Sequence, residues 1–374
     1  MTSMHDENIT EGTVVPKGTL ENLGWDFQWA RQFVPFLEQG FTPARVTCEY
    51  REAYDVAGES GELRAEISGR FRHEHPVHAE WPAVGDWVAI VSRPEEATAT
   101  IHAVLPRRSR FSRKAAGDRT EEQVVAANVD VTFLVAGLDG DFNVRRIERY
   151  LMVAWDSGAR PVVILNKADL CADIARYVLE VEAVAFGTPV IALSAVTGRG
   201  LKELCDMVPY GATGAFLGSS GVGKSSLVNA LVGEARQTTR AVRDDDSHGR
   251  HTTTSRELIR LPDGGMIIDT PGMRELQVWT GDDGLDTAFA DVEALAAQCR
   301  FADCTHIGEP GCAVQAALED GTLQRDRFRS YAKLQREIQY QSLRQDQSAR
   351  LIEKNRWKKI AKEVRRIERD RENR

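Results

Sequence analysis

The chain has 374 residues, of which 42% are hydrophobic and 28% charged, and its formal net charge is −8. A chain of this length can form two or three domains with ordinary hydrophobic cores. It contains no run of about eighteen uncharged apolar residues, which argues against a membrane span and favours a cytoplasmic protein that does not contact membranes.

The first 43 residues predict an N-terminal extension with one short helix. This segment is polar at its start and then carries apolar side chains at roughly helical spacing, namely Leu20, Leu23, Trp25, Phe27, Phe33 and Phe36. We expect a disordered beginning followed by a helix that docks on the rest of the protein.

Residues 44–112 have the pattern of a small β-barrel. Short apolar runs at 45–50, 63–67, 86–91 and 98–104 alternate with Gly, Pro and charged turns. The pattern predicts an OB-type barrel, a fold that binds either single-stranded nucleic acids or oligosaccharides. The fold alone does not choose between these ligands.

Residues 113–280 change to an alternation of strands and helices. The apolar runs at 129–135, 161–165 and 189–193 predict strands, and those at 144–155 and 170–185 predict helices. This alternation is typical of an α/β domain with a parallel sheet between helices. A further predicted strand at 213–217 is poor by propensity, because it contains Gly214 and Ala215, which have low β-preference.

A cluster of possible metal ligands lies in the next segment, residues 281–325. Cys299, Cys304, His306 and Cys312 fall within fourteen residues, whereas the other three cysteines are scattered. Three thiolates and one imidazole are the ligand number and softness that tetrahedral zinc prefers. The cluster therefore predicts one structural Zn²⁺ ion, and the alternative is a set of reduced, partly buried thiols.

Residues 326–374 predict a basic helical tail. Apolar side chains such as Tyr331, Leu334 and Ile338 recur at helical intervals in a charged background. Between residues 344 and 374 there are 12 Lys/Arg and 6 Asp/Glu, a local net charge of +6. Such a helix suits rRNA phosphates, and a solvated helix of mixed charge is an equally good interpretation.

A phosphate-binding loop follows the strand at 213–217. The segment Gly218-Ser-Ser-Gly-Val-Gly-Lys-Ser225 matches the P-loop pattern at every required position. In such loops backbone N–H groups surround the phosphates, the lysine neutralises them and the final hydroxyl ligates Mg²⁺. The predicted nucleotide contacts are Gly218, Ser219, Ser220, Gly221, Val222, Gly223, Lys224, Ser225 and Ser226, with Ser225 on Mg²⁺.

Two other segments predict that the base is guanine. Asn166-Lys167-Ala168-Asp169 follows the strand at 161–165. A carboxylate at Asp169 can accept hydrogen bonds from the ring N–H and the amino group of guanine, which adenine does not offer in that arrangement. Asn166 can bond the base edge and brace the phosphate loop, and the Lys167 stem can cover the base. Backbone N–H groups at Ser194 and Ala195 can meet the guanine oxygen.

The γ-phosphate side of the site is predicted from two later segments. In Asp269-Thr-Pro-Gly272, the carboxylate lies near the magnesium shell and Gly272 senses the γ-phosphate. In Gly249-Arg-His-Thr-Thr-Thr254, the predicted switch, Thr252 and Thr253 contact the nucleotide and Thr253 ligates Mg²⁺.

A histidine in this switch is the predicted catalytic residue. Met273, directly after Gly272, has no polar end with which to orient water. His251 is therefore the candidate that orients or polarises the attacking water, and His248 is the alternative. The alternative is that His251 is a solvent-exposed or RNA-contacting histidine with no catalytic role.

The order of the motifs predicts a circularly permuted domain. In the usual guanine-nucleotide domain the phosphate loop comes first, whereas here the Asn-Lys-x-Asp motif precedes it by about fifty residues. A barrel, a permuted GTPase and a Cys-x4-Cys-x-His-x5-Cys cluster together resemble the RsgA (YjeQ) family of small-ribosomal-subunit biogenesis GTPases, over about residues 20–334. Local stretches agree with this resemblance: Leu105-Pro-Arg-Arg-Ser-Arg-Phe111, Gly221-Val-Gly-Lys-Ser-Ser-Leu227, Gly249-Arg-His-Thr-Thr-Thr254, Asp269-Thr-Pro-Gly272 and Glu309-Pro-Gly-Cys-Ala313.

The resemblance implies a GTP hydrolase that acts as a late assembly factor of the small (30S) ribosomal subunit. Such a protein binds the subunit and its rRNA, is stimulated by it, and leaves after GTP hydrolysis; GTP and GDP are its nucleotides, and we expect a monomer. The resemblance also implies zinc ligation by Cys299, Cys304, His306 and Cys312, and catalysis by His251. The acidic run at 244–246 departs from the family and disfavours RNA contact there.

Two other functions compete with this interpretation. One is a GTP-sensing RNA-binding protein with negligible turnover, which the histidine and the threonine run disfavour. The other is an ATP-dependent kinase or pump subunit, which would require the guanine-selecting Asp169 to be ignored.

Overall fold

The structure, a computed structural model, describes residues 20–50, 53–114, 122–233, 256–269, 282–340 and 342–343. In this part of the chain a barrel, an α/β sheet and a group of C-terminal helices follow one another. None of the helices described is long and apolar enough to cross a membrane. The expected disordered start and most of the basic tail lie outside the described residues.

A 3₁₀ turn (Leu20–Leu23) and helix α1 (Phe27–Leu37) dock on the barrel, as predicted. The buried residues of this segment are Leu20, Leu23, Trp29 and Phe33. Phe27 is 80% exposed, so its predicted place among the packing residues is wrong. The reason is the helix cap: Asp26 accepts a hydrogen bond from the Trp29 N–H at 3.0 Å, which makes Phe27 the first helical residue and turns Trp29 inward.

Five strands form the predicted barrel. They are β1 (Thr42–Glu49), β2 (Tyr54–Gly58), β3 (Gly61–Ile67), β4 (Trp87–Arg93) and β5 (Thr98–Val104), with helix α2 (Gly69–Glu74) between β3 and β4. Strand β1 pairs with both β2 and β4, and parallel pairing of β3 with β5 closes the circle. The sequence did not predict β2, because four of its five residues are buried and no alternating pattern results.

Arg45 on β1 is buried where the barrel meets the α/β sheet. Its guanidinium donates to the carbonyl oxygens of Leu23 at 2.5 Å, Gly85 at 3.1 Å and Asn128 at 3.2 Å, and to the Thr213 hydroxyl at 2.9 Å. Burial lowers the pKa of Arg45 to about 10, which still leaves the side chain charged at neutral pH. One side chain therefore joins the N-terminal segment, the barrel and the α/β sheet.

We expect Arg45→Met to lower the free energy of unfolding by about 3 kcal/mol, because buried carbonyl groups lose their donors. Urea unfolding followed by circular dichroism measures the change. The control is Arg64→Met, which removes a barrel-surface arginine paired with Asp55 at 2.8 Å and is expected to cost less than about 1 kcal/mol. Equal losses in the two variants would contradict the joining role of Arg45.

A two-stranded hairpin connects the barrel to the α/β sheet. Its strands are β6 (Arg110–Lys114) and β7 (Glu122–Ala127), which pair antiparallel. The Ala127 N–H donates to the Val84 carbonyl at 2.9 Å, so the hairpin is also tied to the turn before β4. This connection carries the chain from the barrel into the first strand of the next domain.

The α/β sheet has six strands in the described residues. They are β8 (Val131–Gly137), β9 (Arg160–Asn166), β10 (Val190–Ala192), β11 (Thr213–Gly218), β12 (Arg256–Arg260) and β13 (Met266–Asp269). The connecting helices are α3 (Val144–Ser157), α4 (Ile174–Glu182), α5 (Leu201–Asp206) and α6 (Lys224–Val232). The strand order is β10-β9-β8-β11-β13-β12, parallel except for β12, and apolar cores lie on both faces.

Strand β11 forms because of tertiary packing, although its residues have low β-propensity. A Cβ atom added at Gly214 would lie 2.8 Å from Ile267 Cδ1 and 2.9 Å from Phe133 Cε2. The small residue is thus needed where neighbouring side chains close over the middle of the sheet. The predicted strand is confirmed, and its poor propensity reflects this close packing.

The barrel and the α/β domain share one continuous sheet. Strand β1 pairs antiparallel with β12 through Cys48 opposite Glu257 and Glu49 opposite Arg256. The Arg256 guanidinium also contacts the Glu49 carboxylate at 2.6 Å, with both side chains largely buried. Eleven strands are therefore connected in the order that runs from β10 to β4.

The C-terminal part is helical around the cysteine cluster. Its helices are α7 (Asp282–Ala288), α8 (Ala290–Ala296), α9 (Ala313–Glu319) and α10, which covers residues 325–340. Tyr331 and Leu334 of α10 are buried, as the helical spacing predicted, and they extend the core that lies on one face of the sheet. The cluster is thus packed against the α/β domain.

Candidate nucleotide site and metal centre

Those predicted nucleotide motifs that the structure describes follow neighbouring strands and meet at one edge of the parallel sheet. Strands β8, β9, β11 and β13 run in the same direction, so the segments that follow them lie side by side. The register pairs Gly218 with Val135 and Gly137 with Asn166. Loops at the carboxyl ends of parallel strands are where α/β proteins bind nucleotides.

The phosphate loop leaves β11 and enters α6 through two glycines with left-handed backbone. Gly221 has φ 80° and Gly223 has φ 96°. A Cβ atom at Gly223 would lie 2.3 Å from Asn166 Nδ2, so this position excludes any side chain. The Lys224 ammonium donates to the carbonyl oxygens of Gly218 and Ser219, both at 2.6 Å, and so lies folded over the loop.

The other predicted residues of this loop differ in their exposure to solvent. Ser219 is half-buried and Ser220 is exposed, while Val222 is buried beneath the loop. Ser225 is exposed in the first turn of α6, and Ser226 follows it in the helix. The hydroxyl of Ser225 is thus accessible at the amino end of a helix, where anions and their counter-ions bind.

Asn166 joins three of the motifs. Its Nδ2 donates to the Val222 carbonyl in the phosphate loop at 2.8 Å, and its Oδ1 accepts from the Ala195 N–H at 3.2 Å. The side chain is 2% exposed, so these bonds are shielded from water. The predicted bracing of the phosphate loop by Asn166 is therefore present in the geometry.

The three residues after Asn166 differ in their exposure to solvent. Lys167 has a left-handed backbone with φ 65°, and its ammonium pairs with the Asp139 carboxylate. Ala168 is buried, and its N–H donates to the Leu193 carbonyl at 3.0 Å. Asp169 lies exposed in the 3₁₀ turn that begins at Ala168. A carboxylate in this position is accessible to a base that lies against the edge.

The turn after β10 lies next to the Asn166–Asp169 segment. Ser194 is buried, and its hydroxyl accepts from the Thr197 N–H at 3.2 Å. Ala195 is half-buried and is held by the bond to Asn166 described above. Asp269, half-buried at the end of β13, lies beside the phosphate-loop strand on the opposite side.

Sequence reasoning missed two residues at the phosphate loop. Arg146 Nη1 contacts the Ser219 hydroxyl at 3.0 Å and the Asp141 carboxylate at 2.6 Å. The Ser219 hydroxyl in turn donates to Asp141 at 2.9 Å. Hydrogen bonds from Arg146 and then Ser219 lower the pKa of Asp141. The only available signal was their position just after a predicted strand at this edge.

Several predicted site residues lie outside the described residues. They are the catalytic candidate His251 and its alternative His248, the switch residues Thr252 and Thr253, and Gly272 with its neighbour Met273. The described part of β12 begins at Arg256, just after the predicted switch, and β13 ends just before the Asp-Thr-Pro-Gly segment continues. The described residues that border the two segments, Arg256 and Asp269, lie at the same end of the antiparallel pair β12–β13.

The predicted metal ligands converge on one point. The ligand atoms of Cys299, Cys304, His306 and Cys312 all lie within 4.8 Å of one another. The Sγ atoms of Cys299 and Cys312 are 3.8 Å apart, and His306 Nδ1 lies 3.6 and 3.5 Å from them. Tetrahedral zinc with its usual bond lengths requires separations of about 3.8 Å between two sulfurs and about 3.6 Å between sulfur and nitrogen. The cluster could therefore bind one zinc ion.

The loop that carries His306 is shaped by Glu309. The Glu309 carboxylate accepts from the backbone N–H groups of Thr305 at 2.9 Å, Ile307 at 2.9 Å and Gly308 at 3.1 Å, and from the Thr305 hydroxyl. These bonds, the Thr305 hydroxyl first, lower the pKa of Glu309 to about 2. They hold His306 in a left-handed conformation with φ 60°, which turns its ring toward the cysteines.

Sheet order and motif order together define the class of protein. The phosphate-loop strand β11 lies between β8 and β13, yet β8, β9 and β10 precede it in the chain. This is a P-loop GTPase domain in circular permutation, preceded by an OB-like barrel and followed by a Cys/His cluster.

Comparisons with known proteins agree with this class. A model of the RsgA GTPase family matches residues 104–279, and one described as 50S ribosome-binding GTPase matches residues 213–372. The small ribosomal subunit biogenesis GTPase RsgA of Opitutus terrae is 51% identical over 351 residues, covering 91% of this chain and 96% of the relative. The chain belongs to the RsgA family and is a GTP hydrolase.

Two solved structures have the same architecture. The crystal structure of YjeQ from Thermotoga maritima matches with a TM-score of 0.60 and 29% identity, covering 80% of this chain and 98% of that chain. The structure of YloQ, a circularly permuted GTPase, matches with a TM-score of 0.58 over 80% of this chain and 95% of that chain. At 23% identity the second likeness shows the fold alone. The predicted fold class and family are confirmed.

Proposed function

We propose that this GTPase is a late assembly factor of the small (30S) ribosomal subunit that is released after subunit-stimulated GTP hydrolysis. The proposed binding of a nucleotide rests on the position of Asn166. Its buried amide joins the phosphate loop to the turn that holds Ala195. The relative from Opitutus terrae, which this chain matches along most of its length, is named for small ribosomal subunit biogenesis.

The nucleotide is GTP, bound across the carboxyl edge of the sheet. Backbone N–H groups of residues 218–226 and the Lys224 ammonium hold the phosphates. Asp169 accepts from the guanine ring N–H and amino group, Lys167 covers the base, and the backbone at Ser194 and Ala195 meets the guanine oxygen. Asp269, Gly272, Thr252 and Thr253 complete the γ-phosphate side. The open position of Asp169 supports this assignment.

Two metal ions accompany this function in our proposal. Mg²⁺ offsets negative charge on the β- and γ-phosphates when GTP is bound, and the Ser225 and Thr253 hydroxyls are its protein ligands. One Zn²⁺ is held by Cys299, Cys304, His306 and Cys312, and the match of their spacing to tetrahedral geometry supports it. Four protein ligands leave no open position, so the zinc role is structural.

The catalytic residue of the proposal is His251, which orients or polarises the attacking water. This assignment has a chemical reason, because Met273 offers no polar group at the position where other GTPases have a water-positioning glutamine. His248 lies three residues earlier and is the competing assignment. Separate substitution of each histidine distinguishes them.

The partner is the small subunit with its rRNA, contacted by the barrel and the zinc module. The domain boundaries that we propose are 1–43, 44–112, 113–280, 281–325 and 326–374. A cytoplasmic, monomeric protein is consistent with this role. Because one matching family model is described as a 50S ribosome-binding GTPase, the test also includes purified large subunits.

The test measures GTP and ATP hydrolysis with and without purified 30S or 50S subunits. We expect slow GTP turnover by the protein alone, strong stimulation by 30S subunits, and no comparable ATP turnover. We further expect His251→Ala to lower stimulated turnover by about a hundredfold while nucleotide affinity stays within about twofold, because a water-orienting group acts in the transition state.

His248→Ala is the matched control, since it removes the neighbouring imidazole from the same segment. A larger loss with His248→Ala would transfer the catalytic assignment. Absence of stimulation by 30S subunits, with GTP binding intact, would favour a GTP-sensing RNA-binding protein with negligible turnover. Stimulation by 50S subunits alone would overturn the choice of partner.

A further inference from the structure

Helix α3 lies between the phosphate loop and the C-terminal helices and contacts both through charged side chains. At its first turn, Arg146 forms the closed set of hydrogen bonds with Ser219 and Asp141 described above. Ser219 is the second residue of the phosphate loop, so the loop is attached directly to this helix. Its hydroxyl meets one donor and one acceptor there, which fixes its orientation.

The next residues of α3 contact the C-terminal helices. Glu148 is fully buried and accepts from Arg327 of α10 at 2.9 Å. Arg327 also donates to Asp291 of α8 at 2.7 Å and to the Ala288 carbonyl of α7 at 2.8 Å. One buried arginine therefore connects α3 to three helices around the cysteine cluster.

A second ion pair between α3 and α10 lies nearer the surface. Arg149 Nη1 contacts Glu337 at 2.6 Å, with about a third of each side chain exposed at 37% and 35%. Arg149 is three residues from Arg146, so the two arginines lie on adjacent turns of one helix face. The side chains that contact the phosphate loop and α10 therefore project from the same side of α3.

The helix between these contacts is held rigidly. Asn143 caps its start by accepting from the Arg146 N–H at 3.2 Å, and Gly158 ends it with a left-handed backbone of φ 84°. Helix α7 packs against it without an intervening side chain, because a Cβ atom at Gly284 would lie 2.5 Å from the Met152 carbonyl oxygen. Helices α7 and α10 are therefore both in direct contact with α3.

We propose that Arg146 is a positioning residue for nucleotide binding, and that α3 couples the C-terminal helices to the phosphate loop through it. Arg146 acts through Ser219 rather than on the nucleotide itself. Binding of a partner to the zinc module changes nucleotide affinity because it shifts α10 and, with it, the arginine that holds Ser219. This inference rests on the proposed binding of GTP phosphates at the Gly218–Ser225 loop.

The test is a charge-reversal cycle read out by nucleotide dissociation. A fluorescent GDP analogue is released from the full-length, zinc-loaded protein by excess GDP, and the rate is measured by stopped flow. We expect Glu337→Arg, which faces Arg149 with a like charge, to change the rate at least about threefold. Adding Arg149→Glu restores the opposite charges and returns the rate to that of the parent protein.

The same Glu337→Arg change is then made in an Arg146→Met background. We expect Arg146→Met to alter the dissociation rate by itself and to remove the effect of Glu337→Arg. Arg146→Lys, which keeps the charge and one donor direction, recovers part of the parent rate. Ser219→Ala removes the other end of the contact and is expected to reproduce Arg146→Met, which guards against a folding defect in one variant.

The outcomes separate this inference from the proposed function. Glu74→Arg, the same charge reversal in the exposed Arg70–Glu74 pair of the barrel, is the matched control and leaves the rate unchanged. Equal effects of Glu337→Arg with and without Arg146 would overturn the route through Arg146, and no effect in either would overturn the coupling. Failure of the parent protein to bind the GDP analogue would instead overturn the proposed nucleotide site, and this inference with it.

Discussion

Asp169→Asn is expected to weaken GTP binding by about a hundredfold to a thousandfold. In the proposed site the carboxylate accepts two hydrogen bonds from guanine, whereas an amide would present a donor to the guanine amino group in place of one acceptor. Xanthine carries a carbonyl where guanine carries the amino group, so the amide can donate to it. We therefore expect the variant to bind xanthosine triphosphate more tightly than GTP, measured by competition against a fluorescent nucleotide.

The structure offers a matched control four residues away. Asp173 caps α4 by accepting from the Arg176 N–H at 3.2 Å, and asparagine serves equally well as a helix cap. Asp173→Asn makes the same chemical change near the same edge and is expected to leave GTP affinity within about twofold. If Asp169→Asn retained GTP affinity and gained none for the xanthine nucleotide, Asp169 would not be the base-selecting residue.

Cys304→Ala is expected to abolish stoichiometric zinc binding and to unfold the loop between α8 and α9. Structural zinc contributes on the order of 10 kcal/mol to the folding of small zinc modules at neutral pH, and three remaining ligands hold the ion far less tightly. Two of the large apolar side chains in this segment contribute little burial, since Ile307 is 85% exposed and Phe301 is 42% exposed. Metal analysis and amide hydrogen exchange across residues 297–318 measure both effects.

Cys171→Ala provides the comparison for this variant. Cys171 is half-buried like Cys304 but lies outside the cluster, so its loss removes a thiol without removing a ligand. It is expected to keep one zinc ion per chain and the hydrogen-exchange protection of the parent. Full zinc retention by Cys304→Ala would show that Cys304 is not a ligand, and intact protection after zinc removal would show that the ion is not structural.

The zinc prediction also bears on the coupling through α3. Helix α10 packs on the core beside the cluster through Tyr331 and Leu334, and its Glu337 pairs with Arg149 of α3. Disorder of the cluster is therefore expected to reach α10 and to alter the rate of nucleotide dissociation. The same change in the Arg146→Met background would have little effect on that rate.

Local sequence patterns were sufficient for the family, the nucleotide motifs and the metal cluster. A phosphate loop requires a fixed order of glycines followed by lysine and serine, because its backbone conformation and its charge come from adjacent residues. The four ligands of the cluster are also close in sequence, at positions 299–312, and the structure brings them together as predicted. Strands with alternating burial, such as β3, were predicted for the same reason.

Where a segment is buried on all sides, or where its role depends on a neighbour, local patterns were not sufficient. Strand β2 has no alternation of burial, and Phe27 was assigned to the packed face although the cap at Asp26 turns it outward. The predicted helix at 170–185 is shorter in the structure, Ile174–Glu182, because a 3₁₀ turn occupies Ala168–Leu170 and Asp173 caps the helix later.

The charged residues that join the parts of the protein became evident only from the folded chain. Arg146 and Ser219 are 73 positions apart, Arg45 and Thr213 are 168 apart, and Arg327 and Glu148 are 179 apart. An arginine in a helix or strand has the same local pattern whether it faces water or a buried partner. The chemistry of the motifs can thus be read from adjacent residues, whereas their connections depend on folding, because hydrogen bonds between distant segments leave no periodic signal in the chain.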